Sequence, residues 1–391
     1  MSRPARSLLL PCLAVLALLA PAAWAETPPE ANDPKPAPIS KAVAWLPDLT
    51  LLTHFGVMGV FNGTPLPTGQ FDLARNGFGF QQLEVALDRD LGAFARLSVD
   101  LSVAESGFFL NEASAETLSL PGRIHVRAGR FRSRVGYANA RRPGAQEFVE
   151  QPLALGKMFG PRGHLNLGAE LRWSVPVPFR FDLYGAAMAA TGPGARSFYG
   201  NEDIEIQHPR DFAYQLGFKM GFDLGDGKRT HLGFGFDAVL GPNAHGRKSG
   251  TDIYAVGAFV EHALKNVDGF KLALETEWFI RRRQVPGSVL QDAGGWLELG
   301  LHVTPQWSVG ARYELTTGVE GDDLDAADRE LRQRPTLQVG WRPLPWGRIR
   351  VSGYMDVGGP NAETHYGVLL HLEAGTTMGP TMGLGAVRGA R

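Results

Sequence analysis

The chain contains one cysteine, Cys12, so no internal disulfide and no thiolate metal cluster can form. Past residue 25 it lacks any apolar run near the roughly 20 residues that a membrane-crossing helix needs. It also lacks a charge of one sign. Forty acidic residues face 39 basic ones for a net charge of −1, which removes the basic footprint that a nucleic-acid partner requires. Lysine is scarce, with eight among those 39 basic residues. The residue sets of common catalysts are missing too. There is no G-x-S-x-G elbow, no H-E-x-x-H and no glycine-rich phosphate loop ending in Lys-Ser/Thr. No catalytic residue, no cofactor and no enzymatic activity are expected.

The first residues carry Arg3 and Arg6, then an apolar stretch from Leu8 to Leu19, then Ala23-Trp24-Ala25. That order reads as a secretory signal peptide over 1–25. Residues 26–45 are rich in proline and poor in apolar side chains, and read as a periplasmic linker. Residues 46–374 form the body of the protein, and 375–391 read as a flexible C-terminal tail.

The body alternates apolar and polar residues with a period of two. Trp307, Val309, Ala311, Tyr313 and Leu315 share one face of a strand, opposite Ser308, Gly310, Arg312 and Glu314. Leu165 to Val175, Phe212 to Leu224 and Lys271 to Ile280 alternate in the same way. About sixteen such strands of about ten residues follow one another, the length a tilted strand needs to cross a bilayer. Short connections follow the even strands, for example Asp88-Arg89-Asp90 and Pro305-Gln306. Long ones follow most odd strands, including 132–163, 191–211, 241–251, 282–292 and 318–334.

A soluble sandwich alternates as well, but gives no reason to sort loop lengths by parity. The fold class expected is all-β, a transmembrane antiparallel β-barrel with one long inward-folding loop, in the cell outer membrane of a Gram-negative organism. Closure follows from the solvent, since an open sheet edge in hydrocarbon would leave backbone groups unpaired. Sixteen strands enclose a space too wide for side chains to fill. A wet lumen then accounts for Arg96, Asp100, Glu170, Arg172, Lys219, Glu275, Glu277, Glu298, Arg312 and Glu314 on the inner face. Trp173, Phe222, Trp278, Trp307, Trp341 and Trp346 suit the aromatic girdles of such a barrel. Of ten histidines only His365 and His371 fall close together on one face, and with no third ligand in view no metal site is expected.

One stretch interrupts the alternation. A strand ending Arg127-Ala128-Gly129-Arg130-Phe131 is followed by Gly136, by Phe148-Val149-Glu150-Gln151-Pro152-Leu153, by Phe159-Gly160-Pro161-Arg162-Gly163, and by a return strand Gly168-Ala169-Glu170-Leu171. This segment resembles the phosphate-selective porin O/P family. The resemblance implies a sixteen-stranded, trimeric porin whose long loop folds into the barrel and narrows it. Such a placement would give Phe148, Leu155, Met158 and Phe159 a wall to pack on. It would also bring Arg132, Arg134, Arg141, Arg142, Lys157 and Arg162 to a pore constriction. The function expected is passive diffusion of small hydrophilic solutes, with a preference for anions. The alternative is a non-conducting barrel that serves as scaffold or as partner of a periplasmic complex. The partners expected are outer-membrane lipid and lipopolysaccharide, small solutes or anions, and two further copies of the chain.

Overall fold

The computed structural model describes residues 47–378 except 64–66, 119, 143–144, 201–207, 226–228, 265–268, 320–330 and 359–363. The leader, the whole linker and residues 379–391 of the tail lie outside the described residues. The first strands are β1 (Asp48–Phe61), β2 (Gly77–Leu91), β3 (Ala95–Ala104) and β4 (Gly107–Thr117). They are followed by β5 (Ile124–Arg132), β6 (Leu165–Ser174), β7 (Arg180–Ala189) and β8 (Phe212–Leu224). Next come β9 (Thr230–Asn243), β10 (Gly246–Ala263), β11 (Lys271–Val285) and β12 (Ser288–His302). The last are β13 (Trp307–Thr316), β14 (Arg332–Leu344), β15 (Gly347–Gly358) and β16 (Thr364–Met378). One short helix, α1 (Leu153–Phe159), lies between β5 and β6.

Each strand pairs antiparallel with its neighbours in sequence, and β1 pairs with β16, so the sheet closes. The period-two pattern decides which way each side chain points. In β11, Leu272, Leu274, Trp278 and Ile280 are exposed on the outside, while Glu277, Phe279, Arg281 and Arg283 are buried inside. Exposed leucine, valine and aromatic side chains recur on the outer face around the sheet, as in Leu97, Val103, Leu167, Leu171, Leu216, Leu297, Leu299 and Leu337. A band this extensive exceeds what water-soluble proteins expose, and hydrocarbon is the solvent that suits it. Ten residues at about 3.3 Å each, tilted by about 40°, span roughly 25 Å, the height of that band. Among the described residues no helix is long and apolar enough to cross a membrane.

The connections are unequal. The long connections that follow β1, β5, β7 and β13 all start from one rim, and the connections that follow the even strands are short. Two segments read from sequence as long loops are strand instead. β9 runs to Asn243 and β10 starts at Gly246, while β11 and β12 continue past the membrane band to a turn at residues 286–287. The reason lies in the solvent: above the hydrocarbon an outward side chain need not be apolar, so Arg281-Arg282-Arg283 hides the alternation while pairing continues through Arg281↔Asp292 and Arg283↔Leu290. Gly287, at φ 78°, supplies the left-handed residue the turn needs. The turn placed at Asp88-Arg89-Asp90 is likewise strand, with Asp90 opposite Arg96. At the other end β16 extends beyond residue 374 and pairs Thr376 with Leu51. On the short-turn rim Trp307 and Trp341 stack across β13 and β14, 5.7 Å between ring centres, whereas Trp278 stands in the middle of β11.

Candidate functional site

The loop of residues 133–164 turns into the barrel. Its two ends are tied together at the neck: the Ser133 N–H donates to the His164 carbonyl at 2.9 Å, and the His164 N–H to Asn139 Oδ1 at 2.7 Å. Burial in this neck pushes the His164 imidazole down to about 4. The chain then bends at Gly136, where φ is 61° and an added Cβ would meet Glu277 Oε2 at 2.2 Å, so only glycine fits. The exposed backbone donors of this bend meet carboxylates of the opposite wall. The Gly136 N–H donates to Asp237 at 3.0 Å, and the N–H groups of Tyr137 and Ala138 both donate to Glu277. Lys219 donates to the Gly136 carbonyl and lies over the Tyr137 ring.

Further along, the Arg350 guanidinium donates to the carbonyls of Gln146 and Glu147 at 3.1 and 3.0 Å. Gln338 donates to the Glu147 carbonyl at 2.8 Å, and Arg348 to the Glu147 carboxylate at 2.9 Å. Burial pushes the Glu147 carboxyl up, but Arg348, His302 and Arg350 outweigh it and hold it below its ordinary value. Phe148 slots beneath the Arg312 guanidinium, 4.7 Å from its ring centre. α1 follows, buried along its whole length against β11, β12 and β13. The Leu153 N–H at its start donates to Glu314 at 2.8 Å. Leu155, Met158 and Phe159 join Phe198, Phe279 and Trp296 in one apolar cluster. Two other long connections brace the helix. Thr68 donates to the Gln151 carbonyl at 2.7 Å, and Ser197 to the Met158 carbonyl at 2.5 Å.

Four of the six residues expected at a constriction are paired with carboxylates of the wall. Arg134 meets Glu170 at 2.7 Å and Glu116 at 3.7 Å, and Lys157 meets Asp292 at 2.9 Å. Arg141 pairs with Glu275, and Arg142 lies 3.3 Å from Asp88 and 3.9 Å from Asp100. The other two, Arg132 and Arg162, have no carboxylate partner among the described residues. Arg132 donates to the Arg162 carbonyl at 2.8 Å, and Arg162 donates to Gln70 and covers the Phe109 ring at 4.7 Å. Arg130 beside them donates to the Leu110 carbonyl at 3.0 Å. Burial, with Arg130 and Arg132 adding repulsion, pulls the Arg162 guanidinium down to about 10, still charged at neutral pH. A cavity opens here between the loop and the wall, lined by His54, Gln82, Arg132, Arg162, Arg350 and His371.

The ten residues expected in the lumen take these places. Arg96 is exposed and bound to Asp90, and Arg172 lies 3.0 Å from Glu116. Glu298 stands in register between Glu275 and Arg312, and Arg312 lies 3.3 Å from Glu314. Asp100, Glu170, Lys219, Glu275 and Glu277 are the loop's partners described above. Sequence reasoning missed Arg281 with Asp292, Arg332 and Arg334 with Asp356, and Arg350 with Glu373, all inside the barrel. The signal was parity: Arg281 and Arg283 lie an even number of steps from Glu277, Arg281 just before and Arg283 inside the segment 282–292 read as a loop. His371 has as its neighbour not His365 but His54 of β1, whose Nδ1 is 3.2 Å from His371 Nε2, with Glu373 at 3.9 Å from His54. Those two histidines come from opposite ends of the chain, so no spacing in sequence could pair them.

No family model matches the chain. Over 203 residues it is 28% identical to an uncharacterized protein of Aquifex aeolicus, a match that covers 47% of this chain and 43% of that protein, so the chain spans less than half the length of the relative it matches. Among solved structures it is similar to the outer membrane channel DcaP of Acinetobacter baumannii, with TM-score 0.56, 11% identity and coverage of 87% of this chain and 99% of that one. It is also similar to an anion-selective porin from Comamonas acidovorans, with TM-score 0.53, 14% identity and coverage of 84% and 98%. A third is OprB of Pseudomonas putida, with TM-score 0.54, 8% identity and coverage of 84% and 93%. At these identities the likeness is one of fold. With the apolar outer band and the closed sheet, it makes the chain an outer-membrane β-barrel of porin architecture.

Proposed function

We propose that this barrel is a diffusion channel for small hydrophilic solutes and that it prefers anions. What carries the reading is the cavity between the loop and the wall, where Arg132 and Arg162 form no ion pair among the described residues, while Asp72 shares the lining and Asp100, Glu84 and Glu112 act on Arg132 from a distance. Low-dielectric walls around a narrow aqueous path strengthen the field of such groups and raise the local concentration of the opposite charge. The loop's other cations contribute less, because Glu170, Glu275, Asp88 and Asp292 neutralise them. The selectivity that the name of the Comamonas acidovorans porin carries is of the same sign.

Single-channel recording in planar bilayers tests the proposal. In a salt gradient the wild type should give stable conductance steps and a reversal potential on the anion side. Arg132→Gln with Arg162→Gln should move that potential toward cations. A folded barrel that never conducts would replace this reading with the scaffold role. Conduction with a reversal potential that the double substitution leaves in place would keep the channel and remove the two arginines.

A further inference from the structure

The histidine pair beside the cavity has the geometry of an ion site. His54 of β1 stands directly opposite Glu373 of β16 in the antiparallel register, and His371 lies two residues away on the same face of β16. One ligand atom from each of the three residues lies within 4.8 Å of the others. His54 Nδ1 and His371 Nε2 are 3.2 Å apart, and His54 Nδ1 is 3.9 Å from Glu373 Oε2. Two imidazole nitrogens that share a tetrahedral zinc ion at about 2.0–2.1 Å are held roughly 3.3 Å from each other. The backbone therefore already sets the spacing that the ion would impose. Both rings are nearly sealed, at 4% and 1% exposure.

The remaining ring nitrogens, His54 Nε2 and His371 Nδ1, have no hydrogen-bond partner. Without an ion, one ring donates to the other across the 3.2 Å gap and at least one buried polar atom stays unsatisfied, which costs free energy. With an ion between them both lone pairs point inward, and the donor ring needs only a tautomer change. Both N–H groups then point away from the ion, the orientation of metal-bound imidazoles. Two imidazoles and one carboxylate select a borderline transition ion over calcium or magnesium, which want oxygen. Arg350 donates at 2.9 Å to Glu373 Oε2, the oxygen that also lies 3.9 Å from His54 Nδ1, so an ion here would share that oxygen with the guanidinium or take Glu373 through its other oxygen. Arg350 also holds the loop carbonyls of Gln146 and Glu147, which connects the site to the loop.

We propose that His54, His371 and Glu373 bind one zinc-class transition ion on the lumen wall where the first and last strands meet. The inference does not depend on whether the barrel conducts. The test uses the full-length barrel, folded in detergent and stripped with a chelator, with Co2+ and then Zn2+ as probes. Co2+ should produce the visible absorption of a tetrahedral site at one ion per chain, and Zn2+ should abolish it while a large excess of Ca2+ does not. His371→Ala and Glu373→Gln should each weaken Zn2+ binding by at least tenfold in equilibrium dialysis, with the closed barrel confirmed by its heat-modifiable gel mobility. Absence of the tetrahedral spectrum in the wild type overturns the proposal, and that arm needs no variant to fold. Displacement of Co2+ by Ca2+, or folded variants that bind as the wild type does, would overturn it as well.

Discussion

Among the loop's carboxylates, Glu150 resists ionisation. Burial pushes its carboxyl up to about 7 from an ordinary 4.5, with Arg334 and Arg312 pulling the other way. The folded loop therefore keeps a proton that the unfolded chain releases between those two values. Its stabilising contribution is full below pH 4.5 and is lost as pH rises through 7. His164 acts in the opposite sense: lowered to about 4, it stays neutral in the fold, so its contribution grows as pH rises from 4 to 6.5. A comparison of wild type with Glu150→Gln isolates the first effect. The temperature at which the folded gel band converts to the unfolded one should fall across pH 4.5 to 7 more steeply in the wild type than in the variant. Equal slopes would remove Glu150 from the account. Reading such partners from sequence fails for a physical reason. Alternation says that Glu170 and Glu275 point inward, but the arginines they meet come from a loop without period, so the pairing of Arg134 and Arg141 could not be seen.

At the scale of elements, α1 is too short to persist by itself, since isolated helices below about 12 residues are marginal in water. Its wall partners keep it in place. Phe159→Ala would leave a void against Phe198 and Phe279, a change that in cores costs about 3–5 kcal/mol. The sheet's own pairing does not use the loop, so the barrel should stay closed while the loop leaves its seat. The expected result is a retained heat-modifiable band with larger and noisier single-channel conductance. A retained band with unchanged conductance would place the solute path away from the helix. That the segment from Phe148 to Phe159 packs inward was legible from its apolar residues, which had no place in water. Its seat was not, because Glu314, Trp296 and Phe279 lie more than a hundred residues downstream on strands whose order around the barrel only closure determines.

For the molecule as a whole, strand number and topology were legible because hydrocarbon outside and water inside enforce period two, and the strand ends were misread beyond the membrane on both rims, at 241–251 and 282–292 on one and at Asp88-Arg89-Asp90 on the other, where that contrast ends. Orientation can be tested with the chain's lack of other thiols. Ser288→Cys and Gln306→Cys place single cysteines at exposed positions on opposite rims. An impermeant maleimide added to intact cells should label the first and spare the second if the long connections face outward; the reverse pattern would invert the barrel. Pairing of β1 with β16 also has a kinetic side. The length of the closed loop adds little, since each doubling costs only about 0.6 kcal/mol. The timing matters more. An edge left open in hydrocarbon is intolerable, and β1 has no partner on that side until Thr364 to Met378 have arrived. Synthesis and folding are thereby separated: the chain must be delivered whole and unpaired, and its last 15-residue strand decides whether its first, of 14, can remain in the membrane.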